Sequence, residues 1–186
     1  MKEFNLKDEY DFARNTPSDI YQHISILFET AKEVDHVTEM GVRTGMSTRA
    51  FLYADPKKFI AYDLKKDPLI DDMFKYCKSL GKDFHYCEND VLKIEIEDTD
   101  LLFIDTYHCY EQLTQELKLH AKKVSKYIAF HDVATYGYVG ENLSFQNFAG
   151  TKGILPAIAE FLEENKEWKI VHHVDNNNGM MVIEKK

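Results

Sequence analysis

Short apolar runs alternate along this chain with stretches whose apolar residues recur at helical spacing. The runs cover residues 35–40, 58–63, 83–87, 101–104 and 127–130, and each ends beside an acidic residue. The last two of these runs are continuously apolar, which is typical of central parallel strands buried on both faces. The alternation therefore predicts an α/β protein with a mostly parallel sheet and helices on both of its faces.

The helical stretches begin and end at recognisable signals. Ser18 is an N-cap type of residue, Pro68 suits a first helical turn, and Gly81 is a C-cap type. On the first stretch the apolar stripe leaves out His23, which we expect to be solvated. The predicted helices cover residues 18–33, 46–54, 67–81, 110–124 and 152–165.

The two ends of the chain differ from this alternation. Residues 169–174 and 180–183 read as strands joined by the turn 176–179, so a C-terminal antiparallel hairpin closes the sheet. Residues 1–17 are polar and form a loose arm or a lid over the site. We therefore expect one domain over residues 18–186. Within it, residues 133–151 read as a long loop that covers the substrate, with aromatics at Tyr136, Tyr138, Phe145 and Phe148.

A turn with two glycines follows the first strand. Gly41 and Gly45 are succeeded by Ser47, which can begin a helix. A strand, a glycine turn and a helix start form a ligand crevice at the carboxyl edge of an open α/β sheet. Asp63 ends the next strand about 20 residues further on, where an acidic side chain can accept hydrogen bonds from ribose hydroxyls. The spacing is Glu-x-Gly-x-x-x-Gly and not the dinucleotide pattern Gly-x-Gly-x-x-Gly.

Residues 39–48 resemble motif I of class I S-adenosylmethionine (SAM)-dependent methyltransferases. Residues 18–23 are similar to a lead-in found in the branch that includes small-molecule and sugar O-methyltransferases. The resemblance implies a three-layer Rossmann-like sheet, mostly parallel with a C-terminal antiparallel hairpin. It also implies SAM as cofactor, bound through Glu39, Gly41, Thr44, Gly45 and Ser47.

Two acidic or amide residues after the third strand also bear on the cofactor. In the family that the chain resembles, such a residue contacts the adenine amine. Asp90 fits that role, with Asn89 beside it. An Asx turn explains the same residues without a ligand.

A second informative stretch follows the fourth strand. Asp105-x-x-His108-x-Tyr110-Glu111 resembles a phrase of the same branch, and His131-Asp132 resembles the His-Asp that ends its fifth strand. In metal-dependent relatives, residues at these positions hold Mg²⁺, so the resemblance implies a metal site at Asp105, His131 and Asp132. His131 departs from the carboxylate of the best-known metal users and suits a transition metal better. These carboxylates could instead orient the substrate or the SAM amino group without a metal.

His108 is the candidate general base, with Asp105 beside it. It lies in the turn between a central strand and a helix, on the edge where ligands bind. An ordinary histidine pKa near 6.5 allows it to accept a proton at neutral pH, although a nearby carboxylate raises that value. The alternative is a histidine that only makes hydrogen bonds within the turn.

Composition narrows the partners. Of the 186 residues, 32 are acidic and 23 basic, giving a formal charge of −9, which disfavours a nucleic-acid partner. The mean hydropathy of −0.44 and the lack of a long apolar run exclude a membrane span. Residues 1–10 lack a signal-peptide core, so we expect a cytoplasmic location. The three cysteines suit reduced thiols.

These features together predict methyl transfer from SAM to a hydroxyl oxygen of a small molecule, with Mg²⁺ as an optional second cofactor. The identity of the methyl acceptor remains open. Association with a second copy of the chain also remains open. A nicotinamide-dependent oxidoreductase on a similar sheet is one alternative, which the glycine spacing and the terminal hairpin disfavour. A catalytically silent SAM-binding module is the other.

Overall fold

The computed structural model describes residues 4–141 and 152–186, which form one seven-stranded sheet between two layers of helices. The sheet order is β3-β2-β1-β4-β5-β7-β6, with β1 to β5 parallel to their neighbours and β7 antiparallel to both β5 and β6. The predicted fold class is therefore confirmed. The strands are β1 (His36–Met40), β2 (Lys58–Asp63), β3 (Asp83–Glu88), β4 (Thr99–Ile104), β5 (Val124–His131), β6 (Trp168–Val174) and β7 (Met180–Lys185).

Two separate hydrophobic cores hold the helices to the sheet. The first four helices pack on one face and the last two on the other. Strand β4 supplies both cores, because its side chains alternate between Leu101 and Phe103 on one face and Leu102 and Ile104 on the other. The helices are α1 (Leu6–Asn15), α2 (Ile24–Ala31), α3 (Met46–Ala54), α4 (Pro68–Ser79), α5 (Tyr110–His120) and α6 (Ile154–Glu164).

The N-terminal arm contains helix α1, which the sequence analysis did not predict. The Asn5 side chain caps it by accepting hydrogen bonds from the amides of Lys7 and Asp8. The helix buries Tyr10 and Ala13 against the first core, so the described part of the arm belongs to the helical layer. None of its described residues lines the cavity that opens at the carboxyl edge of strands β1 to β4, and the lid stays a prediction.

The predicted solvation of His23 is wrong, because this side chain is fully buried. Residues 21–23 form a turn of 3₁₀ helix before α2 begins. That tighter turn changes the helical phase on which the prediction depended and directs the ring inward. The His23 ring lies edge-on to His131, with 5.4 Å between the ring centroids.

The C-terminal hairpin turn also joins distant segments. The Asn178 carbonyl accepts hydrogen bonds from the amides of Ala134 and Thr135, and Asn177 Nδ2 donates to the Ser18 carbonyl. The start of the long loop and the lead-in to α2 are thereby fixed beside each other. Most of the loop expected to cover the substrate, including Phe145 and Phe148, lies outside the described residues.

Candidate active site

A cavity of about 610 Å³ opens at the carboxyl edge of β1, β2, β3 and β4. Ligand pockets in proteins have volumes of this order. The fold brings six of the predicted site residues to its wall, namely Gly41, Asp63, Asn89, Asp90, Asp105 and His108. The other predicted residues lie behind the wall or beside it, namely Glu39, Thr44, Gly45, Ser47, His131 and Asp132.

The two glycines of the turn are required by the chain itself. Gly41 has a φ of 87°, and a Cβ atom there would lie 1.8 Å from the Asp105 carbonyl oxygen. Gly45 has a φ of 73°, and a Cβ atom there would lie 2.3 Å from Ile70 Cδ1. Neighbouring segments of the protein therefore leave no room for a side chain at either position, and Gly41 also lines the cavity.

Glu39 lies beneath this turn and is fully buried. Its two carboxyl oxygens accept hydrogen bonds from Ser47 Oγ at 2.5 Å and Thr48 Oγ1 at 2.7 Å. Burial outweighs these bonds and raises the pKa of Glu39 to about 8. Glu39 and Ser47 therefore join the end of β1 to the start of α3.

Asp63 holds the glycine turn in place. Its Oδ2 accepts hydrogen bonds from the amides of Val42 at 2.8 Å and Arg43 at 2.9 Å, and its Oδ1 accepts from the Leu64 amide at 2.6 Å. A carboxylate offers about four acceptor positions, so Asp63 still has capacity for a ligand hydroxyl on the cavity side.

Asp90 makes the local hydrogen bonds of an Asx turn, which was the alternative to a ligand contact. Its Oδ1 accepts a hydrogen bond from the Leu92 amide at 3.0 Å, and its Oδ2 pairs with Lys93 at 2.9 Å. The Asn89 amide donates to the Asp63 carbonyl at 2.8 Å. Both side chains nevertheless line the cavity, so the Asx turn and a ligand contact are compatible.

A cluster of histidines and carboxylates closes one end of the cavity. His108 Nε2 lies 3.1 Å from Asp105 Oδ1 and 3.1 Å from Asp132 Oδ2, and its Nδ1 lies 2.9 Å from Glu141 Oε2. His131 Nδ1 lies 3.0 Å from Asp132 Oδ2 and 3.5 Å from Asp105 Oδ1. The ring of Tyr136 stacks on that of His108 at 5.0 Å.

The carboxylates set the charge of both imidazoles. Burial opposes the charged form of His108, but the hydrogen bonds to Asp105 and Glu141 outweigh it and raise its pKa to about 10. Burial also opposes the charged form of His131, but its hydrogen bonds to Asp105 and Asp132 outweigh burial and raise its pKa to about 9. Burial likewise opposes the charged form of Asp105, yet the two histidines hold its pKa well below the ordinary value. The pKa of His108 is thus raised in the direction expected from the neighbouring Asp105 carboxylate, so the imidazole is charged at neutral pH.

The donor set of this cluster bears on the predicted metal. Asp105, His131 and Asp132 can each direct one ligand atom so that all three lie within 4.8 Å of one another. Two carboxylates and an imidazole fit a divalent transition metal better than Mg²⁺, which prefers oxygen ligands. His108 Nε2 already lies between the two carboxylates and supplies a positive charge at that position.

Several residues at the site were not predicted from the sequence. Glu141 reaches His108 from the loop after β5, and no local motif marks it. Thr106 and Gln112 line the cavity beside Asp105. The buried Arg49 donates to the carbonyls of Thr44 and Gly45 and pairs with Glu9 of α1, which supports the glycine turn from behind. Its position one turn into α3 is the only signal that the sequence offers.

Known proteins match this chain by fold and not by sequence. No protein-family model matches the sequence. No protein with a curated description matches it significantly. Within the described residues, no helix is long and apolar enough to cross a bilayer.

Solved structures give clear matches over nearly the whole chain. A Staphylococcus aureus protein provisionally described as a caffeoyl-CoA O-methyltransferase matches at 12% identity and a TM-score of 0.66, covering 100% of this chain and 94% of that one. The N-methyltransferase NodS from Bradyrhizobium japonicum, solved with S-adenosylhomocysteine (SAH), matches at 13% and 0.62, covering 97% and 96%. A Burkholderia thailandensis 1,6-didemethyltoxoflavin N1-methyltransferase matches at 14% and 0.62, covering 97% and 85%. The chain therefore has the fold of class I SAM-dependent methyltransferases.

Proposed function

We propose that this protein transfers a methyl group from SAM to a small-molecule acceptor, at a hydroxyl oxygen. The observation that carries the proposal is the cavity at the carboxyl edge of the sheet, which has the glycine turn and Asp63 at one end and the His108 cluster at the other. Ligands of open α/β sheets bind at this edge. The fold of the solved neighbours supports the same cofactor.

The walls of the cavity suit the parts of SAM. Asp63 accepts hydrogen bonds from the ribose hydroxyls. Leu64, Val91 and Leu92 supply apolar surface for the adenine faces. Asp90 lies at the same end of the cavity and accepts a hydrogen bond from the adenine amine. The carboxylate of Asp105 favours the positive sulfonium, because opposite charges attract strongly where water is excluded.

The chemistry requires alignment and removal of one proton. The acceptor oxygen attacks the methyl carbon, the new C–O bond forms as the C–S bond breaks, and the bonding pair returns to sulfur as SAH. Holding the two reactants in line supplies much of the rate. The hydroxyl proton must pass to a neighbouring group, and the cluster around His108 provides acceptors at the correct end of the cavity.

His108 remains our proposal for the base, in a modified form. In the unliganded protein its imidazole is charged, since three carboxylates surround it. The sulfonium of SAM adds a positive charge beside Asp105, and this repulsion lowers the pKa of His108 in the ternary complex. Asp105 orients the ring through its 3.1 Å contact.

We also propose that this site binds a divalent metal. Asp105, His131 and Asp132 would hold it, and when bound it would lower the pKa of the acceptor hydroxyl as a Lewis acid. Because His108 Nε2 lies 3.1 Å from both carboxylates, a charged His108 would compete with the cation for them.

One pair of measurements tests the proposed function. Titration calorimetry should detect SAH binding, and NADH should give no heat at the same site. Incubation with SAM and a panel of hydroxylated, amine and RNA acceptors should then release SAH only with a hydroxylated small molecule. Heat with NADH alone would favour the oxidoreductase alternative. SAH binding without turnover on any acceptor would favour the silent module.

A further inference from the structure

Two polar side chains of the cavity wall, Thr106 and Gln112, are held from behind by one buried carboxyl group. Glu116 is fully buried on α5. Its Oε1 accepts a hydrogen bond from Thr106 Oγ1 at 2.6 Å and another from Gln112 Nε2 at 2.8 Å. Both donors line the cavity, whereas Glu116 itself does not.

The chemistry of Glu116 fixes which atoms of these side chains remain free. A carboxyl oxygen that receives two donors accepts both bonds whether or not the second oxygen carries a proton. Among the described residues, Oε2 has no hydrogen-bond partner. The Gln112 amide turns its nitrogen toward Glu116 Oε1, which leaves its own Oε1 as an acceptor for a ligand. Thr106 likewise donates its only proton inward and keeps lone pairs for a ligand.

The position of Gln112 relates this acceptor to the adenine end of the cavity. Residues 91–93 form a short turn that contributes Val91 and Leu92 to the wall. His120 at the end of α5 bonds to the Val91 carbonyl at 2.9 Å, so this helix is joined to that turn. Gln112 lies in the first turn of the same helix and lines the same cavity as Asp90.

We infer that Glu116 is a positioning residue that fixes the Gln112 amide as an acceptor for the exocyclic amine of the cofactor's base. This inference rests on the proposed function, because it presupposes that SAM occupies the cavity. A base with an amine at this position donates to Gln112 Oε1. A base with a carbonyl there sets two acceptors against each other and leaves both unpaired, which is costly in a buried site. Gln112 is thus a specificity-determining residue for the cofactor.

The test compares SAH with S-inosylhomocysteine, which differs from it by a carbonyl in place of the amine. Calorimetry should show that the wild-type protein prefers SAH, and that Gln112→Leu lowers this preference by about 5–20-fold through weaker SAH binding. In Glu116→Gln the new amide can donate to Gln112 and permit its inversion. S-inosylhomocysteine should then bind more tightly than it does to the wild type, an effect that a merely structural role would not produce. Gln115→Leu is the matched control, since Gln115 is an exposed residue of the same helix whose side chain donates to the Glu111 carbonyl.

The outcomes separate this inference from the proposed function. If the wild-type protein binds neither compound, both fall together. If it binds SAH and the preference is the same in Gln112→Leu, Glu116→Gln and Gln115→Leu, the inference is overturned and the proposed function stands. A change in the KM of the methyl acceptor alone, with SAH affinity unchanged, would overturn it as well.

Discussion

His108 Nε2 lies 3.1 Å from Asp105 Oδ1, while the opposite nitrogen of the same ring lies 2.9 Å from Glu141 Oε2. The imidazole therefore bridges a residue at the end of β4 and a residue of the loop after β5. A ring held between carboxylates is both fixed in orientation and charged. Its chemistry depends on what else enters the cavity.

The first prediction concerns His108 as the base. His108→Gln should lower turnover by roughly 10²–10⁴-fold and leave SAH affinity nearly unchanged, since the proposed base would contact the acceptor and not the cofactor. For the wild type, kcat/KM should rise with pH until His108 of the free protein loses its proton, at a pKa of about 10. The kcat profile should rise at lower pH, because the sulfonium lowers the pKa in the complex.

Both limbs should disappear in His108→Gln, and stopped assays with a true acceptor across this pH range would measure them. His85→Gln is the control, since His85 is an exposed histidine on β3 that pairs with Asp83. Full turnover in His108→Gln would leave this histidine a structural role.

The second prediction concerns Asp63. Asp63→Ala should weaken SAH binding by about tenfold or more, because it removes the ribose acceptor and releases the backbone amides of Val42 and Arg43. Titration calorimetry would measure the change. Asp72→Ala removes an exposed carboxylate from α4 and should leave the affinity unaltered. Equal affinities in wild type and Asp63→Ala would contradict the placement of the cofactor.

The third prediction concerns the metal. If Asp105, His131 and Asp132 hold a cation, Mn²⁺ or Zn²⁺ at 100 times its dissociation constant should stabilise the protein by about 2.7 kcal/mol relative to the metal-free protein. Mg²⁺ at the same concentration should stabilise it less. EDTA should then abolish turnover, and Mn²⁺ should restore it. Thermal unfolding with each ion would measure the stabilisation.

Asp105→Asn should remove this stabilisation, whereas Asp98→Asn, at an exposed acidic residue near Lys123, should keep it. Activity that survives thorough EDTA treatment, with no response to any of the three ions, would exclude the metal role.

The fourth prediction concerns the buried carboxyl of Glu39. Burial raises its pKa to about 8 from an ordinary value of 4.5. The folded state therefore favours the protonated form, and this contribution to stability is complete below pH 4.5 and is lost as the pH rises to about 8. Glutamine cannot ionise, so Glu39→Gln should gain stability relative to the wild type across that interval.

Urea unfolding at pH about 5 and about 8.5 would measure the difference. Glu29→Gln, on the exposed side of α2, controls for the loss of one charge. A difference between Glu39→Gln and wild type that does not vary with pH would show that this carboxyl keeps one charge state throughout.

The sequence by itself determined the sheet and the edge at which the candidate site lies. The continuous run 101–104 predicted a central strand, and the structure buries that strand on both faces, since apolar periodicity is a local property of the chain. The acidic residues that end the strands also had to meet, because the carboxyl ends of parallel strands share one edge. Gly41 was marked by its place after β1, although its close neighbour proved to be the Asp105 carbonyl.

Only the tertiary structure decided the state of the side chains. The charge of His108 depends on Asp105, which the sequence placed beside it, and also on Glu141, which lies 33 residues away in the sequence and carries no motif. His23 is buried because one 3₁₀ turn altered the phase of a helix. The orientation of Gln112 depends on the buried Glu116 behind it. A pKa or an amide orientation follows from distances between groups that folding brings together, and those distances are not present in any local pattern of residues.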